Sequence, residues 1–282
     1  MRLFRIVVLI LIVSAALLAA KKNSVLLVTD AEGVAGICRQ EQTDPANAEM
    51  RELLTGEVNA AVRGFFDGGA DEVIVWDAHD GSRSLSALTI DPHAKIIWGN
   101  VGPEGLLNRG FAALAFIGQH ARANSKAAVM AHSYSSLGIQ TIRMNGKEVG
   151  EIETRAALAG WFGVPVVLLT GDRAAADDLK AIVPEAETAV VKEGLSYYAC
   201  ISLSAKAARD LIEQKAVKAF ARRAEIPPYK IDGPVTFEIE YSTRSTPPPT
   251  TARPPGVTLI APRTIRYQGD NFLEAWSRWQ SK

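Results

Sequence analysis

Apolar positions along this chain follow two alternating patterns, one typical of buried strands and one typical of helices. Continuous apolar runs, the strand pattern, occupy residues 24–30, 71–77, 112–120 and 164–172. Residues 46–69 and 173–183 have helical periodicity. The pattern of residues 138–152 predicts a hairpin that turns at Asn145-Gly146. Because strands and helices alternate, the pattern predicts an α/β fold with a mostly parallel sheet flanked by helices.

The pattern changes at about Ser202. A long helical stretch, residues 204–224, is followed by strand-like residues 233–243 and 263–271 and by an amphipathic end, which predict a smaller C-terminal α+β portion. The proline-rich segment between these strands, residues 246–255, is expected to be a solvated loop. We therefore divide the chain into a signal peptide at 1–20, an α/β metal-binding catalytic domain at 21–201 and the smaller C-terminal α+β portion at 202–282.

The first twenty residues have the order of charges and apolar groups that a secretory signal peptide has. Arg2 and Arg5 precede an apolar run of about a dozen residues, and small residues follow before Lys21. An uncleaved membrane anchor stays open as an alternative, because Leu18 fits the usual cleavage pattern poorly, although the run is short for a bilayer span. We expect an exported protein, periplasmic or secreted, with no membrane contact after cleavage.

Composition and charge narrow the classes of partner. The chain has 282 residues, is 48% hydrophobic, and carries 31 basic and 31 acidic side chains, so no net field attracts nucleic acid or anionic lipid. We expect no nucleic-acid partner and a small or neutral ligand. The two cysteines, Cys38 and Cys200, can pair in an oxidising compartment, but their spacing matches no known pattern, and we expect free, partly buried thiols.

Ionisable side chains follow three of the predicted strands. Asp30 and Glu32 end the first, Asp77 and His79 the second, and His120 the third. The carboxyl ends of parallel strands form one crevice, so these groups should face each other. A single strand-end Asp or His is usually a cap or turn residue, but three in series, in a chain with four histidines, favour a metal site. Mixed carboxylates and imidazoles are ligands suited to zinc.

Other catalytic templates are missing from the sequence. We find no H-E-x-x-H, no G-x-S-x-G, no P-loop and no C-x-x-C motif. Their absence argues against a zincin, an α/β-hydrolase, a nucleotide phosphohydrolase and a thiol redox enzyme. A metal hydrolase of another kind remains.

Five segments resemble the zinc-dependent D-aminopeptidases of the DppA type, the M55 metallopeptidases. The resemblance extends from about Ser24 to Trp276 and depends on TDAEGVAGI, WDAHDGSRS, IGQHARA, MAHSYS and NGKEVGEIETRAALAGWFGVPVVLLTGD. It implies two zinc ions per chain, held by Asp30, Glu32, His79, His120 and Glu151. The choice of Glu151 as a ligand depends on the motif alone, because Glu148 and Glu153 are close to it in the sequence.

The same resemblance implies a catalytic histidine, which falls on His132 in AHS. With two metal ions bridged by Asp30, His132 can act as nucleophile or carry a proton to the leaving amine. Asp77 and Asp80 are either acceptors that orient ligand imidazoles or solvated turn residues. His93 matches no motif and is expected in a surface turn.

The function expected from this resemblance is a dinuclear zinc aminopeptidase. Its substrate would be a short peptide with an N-terminal D-residue of the D-Ala type, and the enzyme would be a homo-oligomer, because family members assemble as rings. Export is expected from the N-terminal segment and not from the resemblance. Two alternatives stay open: a dinuclear metal hydrolase of another amide or of a phosphoester, and a non-catalytic exported protein that binds metal or peptide.

Overall fold

The computed structural model describes residues 23–99, 101–243 and 253–280. The predicted signal peptide and residues 246–252 of the proline-rich segment lie outside these ranges. The strands, in chain order, are β1 (Ser24–Thr29), β2 (Glu72–Trp76), β3 (Lys95–Ile97), β4 (Ala113–Gln119), β5 (Ile139–Met144), β6 (Lys147–Val149), β7 (Val166–Asp172), β8 (Glu187–Ser196), β9 (Ala199–Ser202), β10 (Val235–Tyr241), β11 (Val257–Ala261) and β12 (Thr264–Gly269). The α-helices are α1 (Ala48–Asp67), α2 (Pro103–Leu107), α3 (Glu151–Trp161), α4 (Arg173–Ile182), α5 (Ala205–Ala221) and α6 (Phe272–Gln280).

Seven strands form the main sheet, in the order β3-β2-β1-β4-β7-β8-β9. All neighbours are parallel except β8 and β9. The central strands β1, β4 and β7 are buried along their whole length, which explains why their sequences are continuous apolar runs rather than alternating ones. The predicted α/β fold with a mostly parallel sheet flanked by helices is confirmed.

The helices beside this sheet begin where the sequence provides caps and pack by their apolar faces. The Asn47 side chain accepts hydrogen bonds from the first turn of α1. Helix α5 packs against α1 and β8. Lys215 and Lys218 of α5, and Arg222 directly after the helix, form ion pairs with the buried Glu187 at the start of β8. Burial alone would raise the pKa of Glu187, but Lys218 and Lys215 lower it to about 2. Within the ranges listed above, no helix combines the length and apolar character needed to cross a bilayer.

A second, antiparallel sheet has the order β11-β12-β10-β5-β6, with α6 packed on β10 and β12. The β5–β6 hairpin turns at Asn145 and Gly146, both with positive φ, as predicted for this dipeptide. This sheet joins the hairpin from the middle of the chain to strands near its end, while α5 packs on the main sheet. The predicted boundary between the catalytic domain and the C-terminal portion, at residue 202, falls at the end of β9. That these two parts are separate domains stays a prediction.

Cys38 and Cys200 form a disulfide, so the prediction of two free thiols is wrong. The chain turns back after β8, and β9 runs antiparallel to it, which brings Cys200 beside the loop that follows β1. The two Cα atoms are 6.3 Å apart, within the range that a disulfide spans. Their separation of 162 positions hides this proximity in the sequence.

Candidate metal centre

The predicted ligands meet at the carboxyl ends of β1, β2 and β4. Asp30 and Glu32 follow β1, His79 follows β2, and His120 follows β4 directly. The fifth predicted ligand, Glu151, is the first residue of α3. All five are buried. Four of them line one pocket of about 720 Å³, and the fifth, His120, lies within 4 Å of two of those four. The structure therefore brings together every residue that the sequence and the resemblance selected as a ligand.

Two glycines allow the loop after β1 to cross the end of β4 closely. The Gly33 amide donates to the Gly118 carbonyl at 2.7 Å, and a Cβ at Gly33 would lie 2.1 Å from the Gln119 carbonyl oxygen. Gly118 has φ +73°, and a Cβ there would lie 2.2 Å from the Asp30 carbonyl oxygen. A side chain at either position would push the loop away from β4. The close approach places Asp30 beside His120.

Asp30 lies between two groups of predicted ligands. Its Oδ1 is 3.1 Å from His79 Nδ1, and its Oδ2 is 3.5 Å from His120 Nε2. Glu32 Oε2 is on the first side, 3.4 Å from His79 Nδ1, and Glu151 Oε1 is on the second, 3.8 Å from His120 Nε2. The two oxygens of one carboxylate thus face two different imidazoles, and we define two candidate subsites, one at His79 with Glu32 and one at His120 with Glu151. Glu32 also lies near the second of these, because its ligand atom is within 4.8 Å of those of Asp30 and His120.

Backbone carbonyls fix the orientation of both ligand imidazoles. His79 Nε2 lies 2.8 Å from the Thr43 carbonyl oxygen, and His120 Nδ1 lies 2.9 Å from that of Ala121. A carbonyl only accepts hydrogen bonds, so each of these ring nitrogens carries a proton. In the neutral ring the other nitrogen then presents a lone pair toward carboxylate oxygens, as a metal ligand must.

These buried carboxylates and imidazoles fit a divalent cation. Facing lone pairs and carboxylates repel each other unless a positive charge lies between them. Burial alone would lower the pKa of His79 and of His120, but the carboxylates raise these pKa values to about 12 and about 9. Without a metal ion a second proton on each ring therefore supplies this positive charge, and a bound cation would replace it. Glu32 Oε2, buried among the described residues, has no hydrogen-bond partner. The donor set of carboxylates and imidazoles suits zinc.

His132 lies at the wall of the same pocket. Its Nδ1 donates to the Met130 carbonyl oxygen at 2.8 Å, and its ring stacks on that of His120 with centroids 3.9 Å apart. Potential ligand atoms of His120, His132 and Glu151 all lie within 4.8 Å of one another. The half-buried ring therefore has one nitrogen available, at a place where it can act on a substrate or join the metal ligands.

Three other residues considered in the sequence have different surroundings. Asp77 is buried and accepts from the amides of Ser84 and Leu85, so it shapes the loop after β2 and does not bind an imidazole. Asp80 is exposed, with Oδ2 3.8 Å from His79 Nε2. His93 is exposed in a turn and contacts Asp91, as expected.

Sequence reasoning missed two buried residues that hold the site together. Gln119 Nε2 donates to Asp30 Oδ2 at 3.0 Å, and its position beside His120 on an apolar strand was the available signal. Lys192, a lone lysine in the apolar part of β8, donates to the carbonyl oxygens of Glu32, Val34 and Ile37. Burial lowers the pKa of Lys192 to about 8. Lys192 therefore holds the loop that carries Glu32.

Replacing Lys192 with methionine is expected to lower the free energy of unfolding by about 2–4 kcal/mol, because three buried carbonyls lose their donor. Zinc affinity should fall with it, because the Glu32 loop loses its anchor. Urea unfolding and a zinc titration measure both effects. The matched control is Lys180→Met, since the exposed Lys180 donates, among the described residues, only to the Pro184 carbonyl. Equal losses in the two variants would contradict the anchoring role.

An α/β sheet whose strand ends hold clustered carboxylates and imidazoles in an open pocket defines a metal-dependent hydrolase. Residues 24–281 match the peptidase M55 family, described as D-aminopeptidase. The chain belongs to this family, and it is accordingly a metalloaminopeptidase.

A sequence match and a structure match support the assignment along nearly the whole chain. A D-aminopeptidase of Bacillus subtilis (strain 168) is 29% identical over 253 residues, which is 88% of this chain and 92% of the relative. The solved structure described as Zn-dependent D-aminopeptidase DppA from Bacillus subtilis, a self-compartmentalizing protease, superimposes with a TM-score of 0.81. It shares 27% identity, and the match covers 92% of this chain and 96% of that one.

Proposed function

We propose that this protein is an exported aminopeptidase that holds two zinc ions per chain and releases N-terminal D-residues, of the D-Ala type, from short peptides. The position of Asp30 carries the proposal for two ions. Its oxygens face separate subsites, one with His79 and Glu32 and one with His120 and Glu151. A carboxylate in this position suits a bridge between paired metal ions.

The chain's own residues have three tasks in this proposal. Carboxylates and imidazoles would hold the zinc ions, and zinc when bound would polarise a carbonyl and lower the pKa of water. Buried carbonyls keep the imidazoles in one tautomer. His132 presents its available Nε2 to the pocket, where it can attack the scissile carbonyl or carry a proton to the leaving amine.

The proposed preference for D-residues and the proposed homo-oligomer are supported by the family description and by the self-compartmentalizing relative. Exposed apolar side chains on the β8–β9 hairpin, among them Leu195, Tyr198 and Ile201, supply a surface that a second copy of the chain can cover. Tyr197 and Tyr198 of this hairpin also line the pocket. Assembly through it would narrow access to the metal centre.

Hydrolysis of D-Ala-p-nitroanilide and L-Ala-p-nitroanilide by the zinc-loaded protein tests the activity. We expect clear turnover of the D-substrate, weak or no turnover of the L-substrate, and close to two zinc ions per chain by elemental analysis. Protein stripped with a chelator is the control. Preference for the L-substrate would reject the proposed stereochemistry, and one ion per chain would reject the dinuclear centre.

Mass spectrometry of the protein from its native host tests export. The charged start and apolar run motivate this proposal, and the mature chain should begin near Lys21. The Cys38–Cys200 disulfide agrees with an oxidising compartment. Recovery of the full-length N-terminus from the soluble cytosolic fraction would contradict the proposed export.

A further inference from the structure

One arginine lies in the metal pocket, among carboxylates, imidazoles and uncharged side chains. Arg155 is four residues after Glu151 on α3, so the two residues project from the same side of the helix about one turn, or about 6 Å, apart. Arg155 is half-buried and lines the same pocket as Glu151 and Asp30. Among the pocket-lining residues that the structure describes, it alone is a lysine or an arginine.

Aromatic rings, rather than acids, surround the Arg155 guanidinium. Its central carbon lies 5.6 Å from the Tyr134 ring centroid and 5.8 Å from that of Trp76, distances at which a cation is attracted to a ring face. No carboxylate among residues 23–99, 101–243 and 253–280 forms an ion pair with it within 4 Å. The ring contacts and a side-chain hydrogen bond to Tyr134 hold the guanidinium in place. A guanidinium has five N–H donors, so donors are left for a ligand.

We propose that Arg155 binds the C-terminal carboxylate of the peptide substrate and so makes free dipeptides the preferred substrates. This inference rests on the proposed aminopeptidase function. The planar guanidinium matches a carboxylate through two parallel hydrogen bonds. In a dipeptide, the terminal carboxylate is one residue beyond the scissile carbonyl, about 3.5 Å of extended chain. That short separation suits a guanidinium attached one helical turn from a metal ligand.

A structural role for Arg155 makes a different prediction. If its charge only offsets the acids of the pocket, neutralising it would weaken or alter metal binding for every substrate. If it binds a carboxylate, the loss depends on whether the substrate has one. The comparison of a dipeptide with its C-terminal amide separates the two roles, because the amide differs only in lacking that charge.

The test uses the mature protein, without its signal peptide, loaded with zinc. The substrates are D-Ala-D-Ala and D-Ala-D-Ala amide. Arg155→Met should raise KM for the acid about 10- to 100-fold, the loss typical of a hydrogen-bonded charged pair. KM for the amide should change by less than about threefold, and the zinc content of the variant should stay the same. Arg155→Lys should recover part of the affinity for the acid. Arg173→Met, which removes an exposed arginine outside the pocket, is the matched control.

Equal losses on acid and amide, or loss of zinc in Arg155→Met, would overturn the proposal. Failure of the proposed function looks different: the unmodified protein would cleave neither peptide. In that case calorimetric binding of both peptides to the unmodified protein and to Arg155→Met still decides the point. Binding of the acid that Arg155→Met does not weaken relative to the amide would reject the role of Arg155.

Discussion

Replacing Asp30 with alanine should remove most of both proposed zinc ions and nearly all activity. Its two oxygens face the His79 subsite and the His120 subsite, so one substitution takes a ligand from each. Asp30 also accepts from the Ala31 amide and from Gln119, and some loss of stability should accompany the loss of metal. Elemental analysis, turnover and melting temperature measure the three effects.

The matched control for this variant is Asp80→Ala. Asp80 lies at the edge of the same pocket but is exposed. The Asp80→Ala variant should therefore keep nearly all of its zinc. Asp30→Asn keeps the size of the side chain and removes its charge, so it separates loss of a ligand from loss of packing. One tightly bound ion in Asp30→Ala would refute the bridging role while leaving a single-metal centre possible.

The second large effect is expected at His132. If it acts on the substrate and is not a metal ligand, His132→Ala should keep its zinc and its melting temperature while kcat falls about 10²- to 10⁴-fold, the cost typical of losing a positioned proton-transfer group. The proximity of His132 to His120 and Glu151 makes zinc content the decisive measurement. A variant with near-normal kcat would end the catalytic role.

His120→Ala provides the comparison, because the two rings stack on each other and differ in their expected task. Removing a ligand should lower zinc affinity together with rate, and added zinc should restore part of the activity. If His132→Ala also loses zinc and recovers with added zinc, His132 belongs to the metal ligands. Retention of zinc by His132→Ala with loss by His120→Ala would support the proposed division of tasks.

Strand ends explain why much of the site can be predicted from the sequence. Three apolar runs are followed by ionisable side chains: Asp30 and Glu32 after one, His79 after another and His120 after the third. Because the strands are parallel and side chains two apart point the same way, these groups are expected at one edge of the sheet. Glu151 is different. It starts a helix that follows the β5–β6 hairpin of the second sheet, and no periodicity relates that hairpin to the first sheet, so only the motif resemblance selects it.

Contacts between distant segments explain what the sequence could not provide. The disulfide depends on the return of β9 beside the loop after β1, a pairing separated by 162 residues. Lys192 is a single polar residue in a buried strand, and its three carbonyl partners become visible only when β8 and the Glu32 loop are placed together. Arg155 was missed because a helical arginine normally indicates a solvated face, not a pocket wall.

Gly33 and Gly118 offer a way to recognise related chains that does not depend on chemistry. Neither glycine has a side chain with which to bind metal or substrate, yet the crossing of the β1 loop over β4 leaves no room for a Cβ at either position. A descendant that has lost a histidine, and with it catalysis, should still need both glycines to keep this backbone. An unrelated chain that contains Asp-x-Glu by coincidence has no such need. The pair is therefore a marker of shared architecture, and the ligands are a marker of retained activity.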